Sequence, residues 1–286
     1  MKNSVGILCA AVVLALSSQG SVAASKDWWV DITNDRVEQV RSQLAMGEDP
    51  NATNKDGQPS LMQAIQDGAW KVYDLLVRHR NINVNAVNGH DETPLMYLAV
   101  IGQTQRAAAL IKMGAEVNRL GWTPLHYAAS KGHLDTVKLL LANKAIVNAP
   151  SPDGTSPLMM AAYAGSPEVV RALLDAGADP TARNLRGEDA ALWARRKNHT
   201  QLAGQLDDLS ARVLKTRSAQ GRSAQTHDGS GAGPAVAPQG NARPVPAPAE
   251  AGRGVPSGQP SGSASSADDA GSTSRYFDLD RFDRED

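Results

Sequence analysis

The sequence predicts an all-α repeat fold: a solenoid of about six helix-turn-helix units joined by β-hairpin finger loops, followed by a tail that cannot build a core. Three observations carry this. First, a leucine recurs at nearly even spacing, at Leu61, Leu95, Leu125 and Leu158. Second, a glycine stands at one fixed offset after each, at Gly68, Gly102, Gly132 and Gly165. Third, periodicity stops after the helix predicted over residues 202–214, where Gly, Ser, Pro and Ala take over.

Each part of the repeating unit has a physical reason. Asp56 with Gly57 and Asp153 with Gly154 are turn dipeptides, suited to the positive φ of a tight hairpin. Thr93 with Pro94 and Thr123 with Pro124 start helices, because Thr can accept from an orphan N–H and Pro at the first helical position sacrifices no hydrogen bond. The small pairs Ala128 with Ala129 and Ala161 with Ala162 allow neighbouring helices to approach closely. The glycine then ends the first helix in a left-handed residue. Val137, Leu140 and Leu141, and Val169, Val170, Leu173 and Leu174, fall at helical spacing on the buried face of the second helix. Each such side chain stabilises by roughly 1.5–3 kcal/mol once covered, and only the next repeat can cover it.

The stretch GWTPLHYAASKGHLDTVKLLLANKAIVNA at residues 121–149 resembles the ankyrin repeat, whose signature is T-P-L-H-x-A, a glycine, and a helix ending L-L-x-x-G-A. The resemblance covers about residues 26 to 210. The same frame extends outward by one more repeat length on each side, to Trp28 and Ala191, with Asp35 and Asn198 at the glycine place, so the end units read as degenerate capping repeats. The pattern departs in three places. Pro59 and Ser60 replace Thr and Pro in repeat two, one extra residue lies near residues 81–85, and the finger between Asn118 and Thr123 is three residues short, which notches the edge beside Trp122.

The ends divide differently. Residues 1–23 read as a secretory signal peptide, with Lys2, an apolar run over residues 5–16 and a cleavage site after Ala23. That run falls short of the roughly 20 apolar residues of a membrane span, the alternative being an uncleaved anchor. The single cysteine, Cys9, would leave with it, so no disulfide or thiolate metal site is expected in residues 24–286. Residues 24–214 form the repeat domain, 215–274 a flexible Gly/Ser/Pro/Ala tether, and 275–286 an aromatic-acidic terminal segment. Both phenylalanines of the chain, Phe277 and Phe282, lie in that last segment with Tyr276 and Leu279. Tyr276, Leu279 and Phe282 can share a helix face. The segment either captures a second partner, folds back on the groove with its acids facing Lys131, Arg196 and Lys197, or is a plain polar end.

Composition and motifs exclude several chemistries. Lys plus Arg number 29 against 30 Asp plus Glu, a formal net charge of −1, so no basic excess drives nucleic-acid binding. No nucleotide, nucleophile-elbow or metalloprotease motif occurs. His126 and His133 invite a catalytic reading, but in a repeat of this kind the first bonds within the repeat and the second starts the next helix, and their spacing across a turn is poor for a metal. The expectation is a chain that is not an enzyme and holds no cofactor or metal.

The resemblance implies a concave groove lined by finger tips and by two positions on each first helix. The fingers contribute Gln58, Glu92, Trp122 and Thr155, and the helices Gln66 with Asp67, Val100 with Ile101, Ser130 with Lys131, Tyr163 with Ala164, and Arg196 with Lys197. Val100, Ile101, Trp122 and Tyr163 would make an apolar patch mid-groove, unless they stack between repeats instead. Tyr97, Tyr127, Met160 and Trp193 fall at another helix position and are assigned to an inter-repeat ladder. The resulting expectation is a monomeric, non-catalytic binder of an unidentified protein partner in the periplasm of a Gram-negative bacterium, or secreted, with no membrane segment once the signal is cut. Helpers or inhibitors of exported enzymes fit the same features, as does an effector directed at a host.

Overall fold

The computed structural model describes residues 26–225, with side chains to residue 220. Among the described residues the chain forms helices only, in six consecutive pairs: α1 (Lys26–Thr33) with α2 (Val37–Ala45), α3 (Ser60–Gln66) with α4 (Trp70–Leu76), α5 (Pro94–Val100) with α6 (Thr104–Lys112), α7 (Pro124–Ser130) with α8 (Leu134–Ala142), α9 (Pro157–Ala164) with α10 (Pro167–Asp175), and α11 (Ala190–Arg196) with α12 (Thr200–Gln225). First helices pack on first helices, α1 on α3 through to α9 on α11, and each odd helix from α1 to α9 packs on its own second helix. The repeats belong to one compact unit that closes at Ala203, and α12 continues from Gly204 in a second. That helix runs on to Gln225, past the Leu214 boundary that composition suggested.

The turn between the paired helices follows the predicted frame at all six units. Asp35, Gly68, Gly102, Gly132, Gly165 and Asn198 have φ of 51°, 66°, 69°, 72°, 67° and 62°. Asp and Asn are the side chains that tolerate this region best, which explains how the end units keep the turn without glycine. In the interior the glycine is also a packing requirement. A Cβ on Gly102 would lie 2.7 Å from the ring of His133, and Gly132 and Gly165 are covered in the same way by Ser166 and His199 of the following repeat.

Helix starts carry side-chain caps at Thr93, as expected, and at Ser156 and Asp189, while the Thr123 hydroxyl lies 2.9 Å from His126 Nδ1. Thr93 Oγ1 accepts from the Met96 N–H at 3.4 Å, Ser156 Oγ from Met159 at 3.3 Å, and Asp189 Oδ1 from Leu192 at 3.0 Å. In repeat two Pro59 stands at the cap with no side-chain bond. Ser60 bonds back instead: it donates to Ala52 O at 2.9 Å and accepts from Trp28 Nε1 at 3.0 Å, tying repeat two to repeat one.

The core is aliphatic and small where helices cross. Ala64, Ala99, Ala128, Ala129, Ala161 and Ala162 are fully covered, with Leu61, Leu95, Leu125 and Leu158 beside them. A second layer joins the even helices, where Thr104 and Thr136 hydroxyls meet at 2.7 Å and the Arg106 guanidinium lies 4.1 Å over Trp70 and 5.7 Å over Tyr73. Burial there pushes the Tyr73 phenol up to about 12.

A series of asparagines, absent from the sequence reading, clamps successive repeats. Asn51, Asn85, Asn118 and Asn148 each donate through Nδ2 to a carbonyl of the next repeat, on Asn81, Gly114, Lys144 and Gly177, at 2.7 to 3.0 Å. Each also accepts through Oδ1 from the N–H two residues beyond that carbonyl, on Asn83, Glu116, Ile146 and Asp179, at 2.7 to 2.9 Å. The clamps locate both irregularities. Asn51, Asn85 and Asn148 stand equally far ahead of the leucine of the next repeat and Asn118 stands three residues nearer, so the third finger lacks three residues, as predicted. The clamped carbonyl follows its leucine at one constant offset at Gly114, Lys144 and Gly177 but one residue later at Asn81. The extra residue therefore sits between α4 and Asn81, before the stretch where the sequence suggested it.

Candidate protein-binding groove

The fingers are tight turns. Asn54, Asn88, Ser151 and Asn184 each donate a backbone N–H to the carbonyl four residues on, at 2.9 to 3.1 Å, and the one β-bridge among the described residues joins Thr53 and Pro59. In three of them an asparagine Oδ1 also accepts from two finger N–H groups: Asn54 from Asp56 and Gln58, Asn88 from His90 and Glu92, and Asn184 from Arg186 and Glu188.

This turn points Gln58, Glu92 and Thr155 inward, and Val100 on α5 is buried too, which corrects Glu92 and Val100 as groove residues. Glu92 is 2% exposed and Val100 is 2% exposed, so neither offers a surface. The Glu92 carboxylate is enclosed by donors: Asn88 Nδ2 at 2.8 Å, the Tyr97 hydroxyl at 3.5 Å, and from the next repeat the Tyr127 hydroxyl at 2.5 Å. A buried carboxylate needs such a cage, because desolvation without hydrogen bonds costs several kcal/mol. Gln58, Thr155 and Ser130 are buried as well. Val100 is held by its backbone, whose carbonyl bonds His133 Nε2 at 2.9 Å.

Ile101, Trp122, Lys131, Tyr163, Gln66, Asp67 and Ala164 are half-buried, and Arg196 and Lys197 are exposed. Of the expected apolar patch, Val100 is buried while Ile101, Trp122 and Tyr163 remain half-buried. Trp122 stands edge-on against His126, 5.2 Å between centroids. Tyr163 meets Trp193 edge-on at 5.6 Å, and Lys197 Nζ lies 4.6 Å over its ring. Tyr97, Tyr127, Met160 and Trp193 are all buried, as a ladder between repeats requires. The terminal residues Tyr276, Phe277, Leu279 and Phe282 lie outside the described residues.

Glu188 was not foreseen. It occupies the position of Glu92 in the last repeat and accepts from Asn184 Nδ2 at 2.9 Å, Arg186 Nε at 3.1 Å, Trp193 Nε1 at 3.2 Å and Arg196. Burial alone would raise its carboxyl, but the bonds from Asn184, Arg196 and Arg186 outweigh that and hold it below the usual range. The signal was the shared spacing from acid to aromatic ring, Glu92 to Tyr97 and Glu188 to Trp193, visible in the sequence.

His126 is part of the scaffold. It is fully buried, its Nδ1 accepts from the Thr123 N–H at 3.2 Å, and Nε2 then carries the hydrogen that it donates to Thr155 O at 3.0 Å. Both nitrogens are spent, and one bond leaves the repeat, which extends the within-repeat role expected of it. Burial pushes its pKa down to about 4, so the ring stays neutral. His133 is lowered too, by partial burial and the nearby Lys131 charge against the bond to Val100. Among the described residues no group of His, Cys, Asp and Glu could hold a metal ion, and no helix is long and apolar enough to cross a membrane.

Stacked helix pairs, left-handed inter-helix turns and finger loops clamped from one unit to the next define a helical repeat solenoid. The family model for ankyrin repeats, three copies, matches residues 29–120 and 102–184. This spans more than half of the chain, which belongs to the ankyrin repeat family. It is similar to transient receptor potential cation channel subfamily A member 1 of Homo sapiens, 26% identical over 158 residues, which are 51% of this chain and 14% of the relative. It is 29% identical to the nuclear factor NF-kappa-B p105 subunit of Gallus gallus over 157 residues, 52% of this chain and 16% of that one. Against rabankyrin-5 of Homo sapiens the figures are 31% over 147 residues, 49% and 13%. The chain spans less than a fifth of the length of these relatives, and the likeness is one of repeats.

Proposed function

We propose that the chain is a non-catalytic binding protein that holds a partner protein on the face made by its fingers and first-helix ends, and that it does so in the bacterial periplasm. The observation that carries the binding reading is the division of labour along the repeat. Position after position is consumed by contacts between repeats: the asparagine clamps, the Glu92 cage, the His126 bridge. The half-buried Ile101, Trp122, Lys131 and Tyr163 on consecutive repeats differ in character, whereas the clamp position is Asn at all four places, Asn51, Asn85, Asn118 and Asn148. A rigid array with a variable edge suits recognition, since little ordering entropy is lost on binding. The signal-like residues 1–23 support export, and the balanced charge of the chain favours a protein partner over a polyanion.

The test is crosslinking in intact cells with mass spectrometry, alongside fractionation, comparing the wild type with Ile101→Glu and with deletion of residues 275–286. A periplasmic partner captured by the wild type and lost with Ile101→Glu supports the reading. A partner lost only on the deletion would move recognition to the terminal segment. A chain retained in the cytoplasm would overturn the location.

A further inference from the structure

The apolar stripe of α12 does not end where its burial does. Leu202, Leu206, Leu209 and Val213 recur four and three residues apart, which holds them on one face of the helix. Leu202 and Leu206 are buried, Leu209 and Val213 are half-buried, and Leu214 beside them is 53% exposed. Leu209, Arg212, Val213, Thr216 and Arg217 line an open hollow of about 400 Å³. Charge along the helix is sorted as well. Residues 209–225 hold Arg212, Lys215, Arg217 and Arg222 and neither Asp nor Glu. Arg212 Nε donates to the Asp208 carbonyl at 3.3 Å, a bond to a neutral acceptor that removes none of its charge.

We propose that this stripe docks the chain's own residues 275–286. They lie outside the described residues, and their sequence supplies what the stripe lacks. Tyr276, Leu279 and Phe282 are three apart and can share one face, and the segment carries five acids against three arginines. Its aromatic and leucine side chains settle in the hollow beside Leu209 and Val213, and its acids turn toward Arg212 and Lys215. Apolar burial supplies most of the affinity, while opposed charge sets the orientation. The connection allows it. A Gly/Ser-rich chain as long as residues 226–274 spans roughly 40 Å, well beyond the helix from Val213 to Gln225, about 18 Å long. The segment is therefore presented to the stripe at an effective concentration on the order of millimolar. That linkage favours this occupant over a separate acidic peptide, which brings no such concentration. It also chooses among the fates open to the segment, which is held on α12 and not in the groove.

The test is disulfide trapping in the full chain, with Cys9→Ser removing the native thiol. Thr216→Cys on the stripe or Ile101→Cys in the groove is combined with Ser274→Cys, and closure within one chain under mild oxidant is timed on non-reducing gels. The pair at 216 and 274 should close about tenfold faster, or more, than the pair at 101 and 274. Leu279→Ser with Phe282→Ser should bring it down to the slower rate, and Arg212→Glu with Lys215→Glu should slow it at low salt. Equal rates from both pairs, or a rate at 216 that ignores the loss of Leu279 and Phe282, would overturn the inference. Faster closure at 101 would place the segment in the groove instead. If Thr216→Cys without Ser274→Cys links two chains as fast as the internal bond forms, the stripe holds a second copy and the inference falls.

Discussion

His126 makes the stability of the array depend on mildly acidic pH. The ring is fully buried and neutral, with a pKa lowered from 6.5 to about 4. In the unfolded chain it titrates near its ordinary value, so between these two values the unfolded state takes up a proton that the folded state refuses. Stability is then complete above the unfolded pKa and falls as pH drops toward the folded one. Lowering the pH from about 7.5 to about 5 removes about 2 kcal/mol through this residue alone, and the limit below the folded pKa is about 3 kcal/mol. Urea denaturation at the two pH values, on the wild type and on His126→Gln, isolates the contribution. The glutamine variant starts less stable, because it disturbs the bonds to Thr123 and Thr155, and its dependence on pH over this interval should be shallower by about 2 kcal/mol. Equal dependence in the two proteins would refute the assignment of His126 as a buried neutral link. The carboxyls of Glu188 and Asp153, both lowered, contribute stability that is lost only as pH falls below the ordinary carboxylate range, so they do not confuse the comparison.

Three further outcomes follow from the packing. Gly165→Ala should cost more than the about 1–2 kcal/mol of a left-handed alanine, because the new methyl also displaces His199, whereas Gly187→Ala, at φ 74° with nothing nearby, should cost the backbone part alone; denaturation midpoints distinguish the two. Tyr127→Phe takes a donor from the buried Glu92 carboxylate and should destabilise by about 1.5–3 kcal/mol, with a double-mutant cycle against Glu92→Gln showing that the two losses are coupled. Asn118→Ala opens both bonds of one clamp, at an expected cost of about 1–2 kcal/mol, and hydrogen exchange should report the loosening at Ile146 before it spreads to other repeats.

The frame of the fold was legible because the turn after each first helix admits few residues. A rule that demands a left-handed φ selects Gly, Asp or Asn, and it held at Asp35 and Asn198 where the rest of the motif had faded. What was not legible depends on partners a whole repeat away. Whether Glu92 lies at the surface is decided by Tyr127, one repeat later, whose hydroxyl reaches back to it. Val100 and Tyr163 occupy the same row of the repeat, yet Val100 is buried and Tyr163 is half-exposed, a difference set by their neighbours and not by local pattern. The asparagine clamps were visible as a spacing but carried no meaning until the carbonyls they hold were placed. The end of α12 was set too early because apolar content runs out after Leu214, although Lys, Arg, Gln and Ala in the following residues are good helix formers without a core to face.

The central claim is that partners bind at the finger and first-helix face. A photocrosslinking residue placed at Ile101 in one strain and at Lys138, on the second-helix face, in another tests it most directly in living cells. The account predicts a discrete crosslinked protein from position 101 and none from position 138. The same product from both, or from position 138 alone, would contradict it.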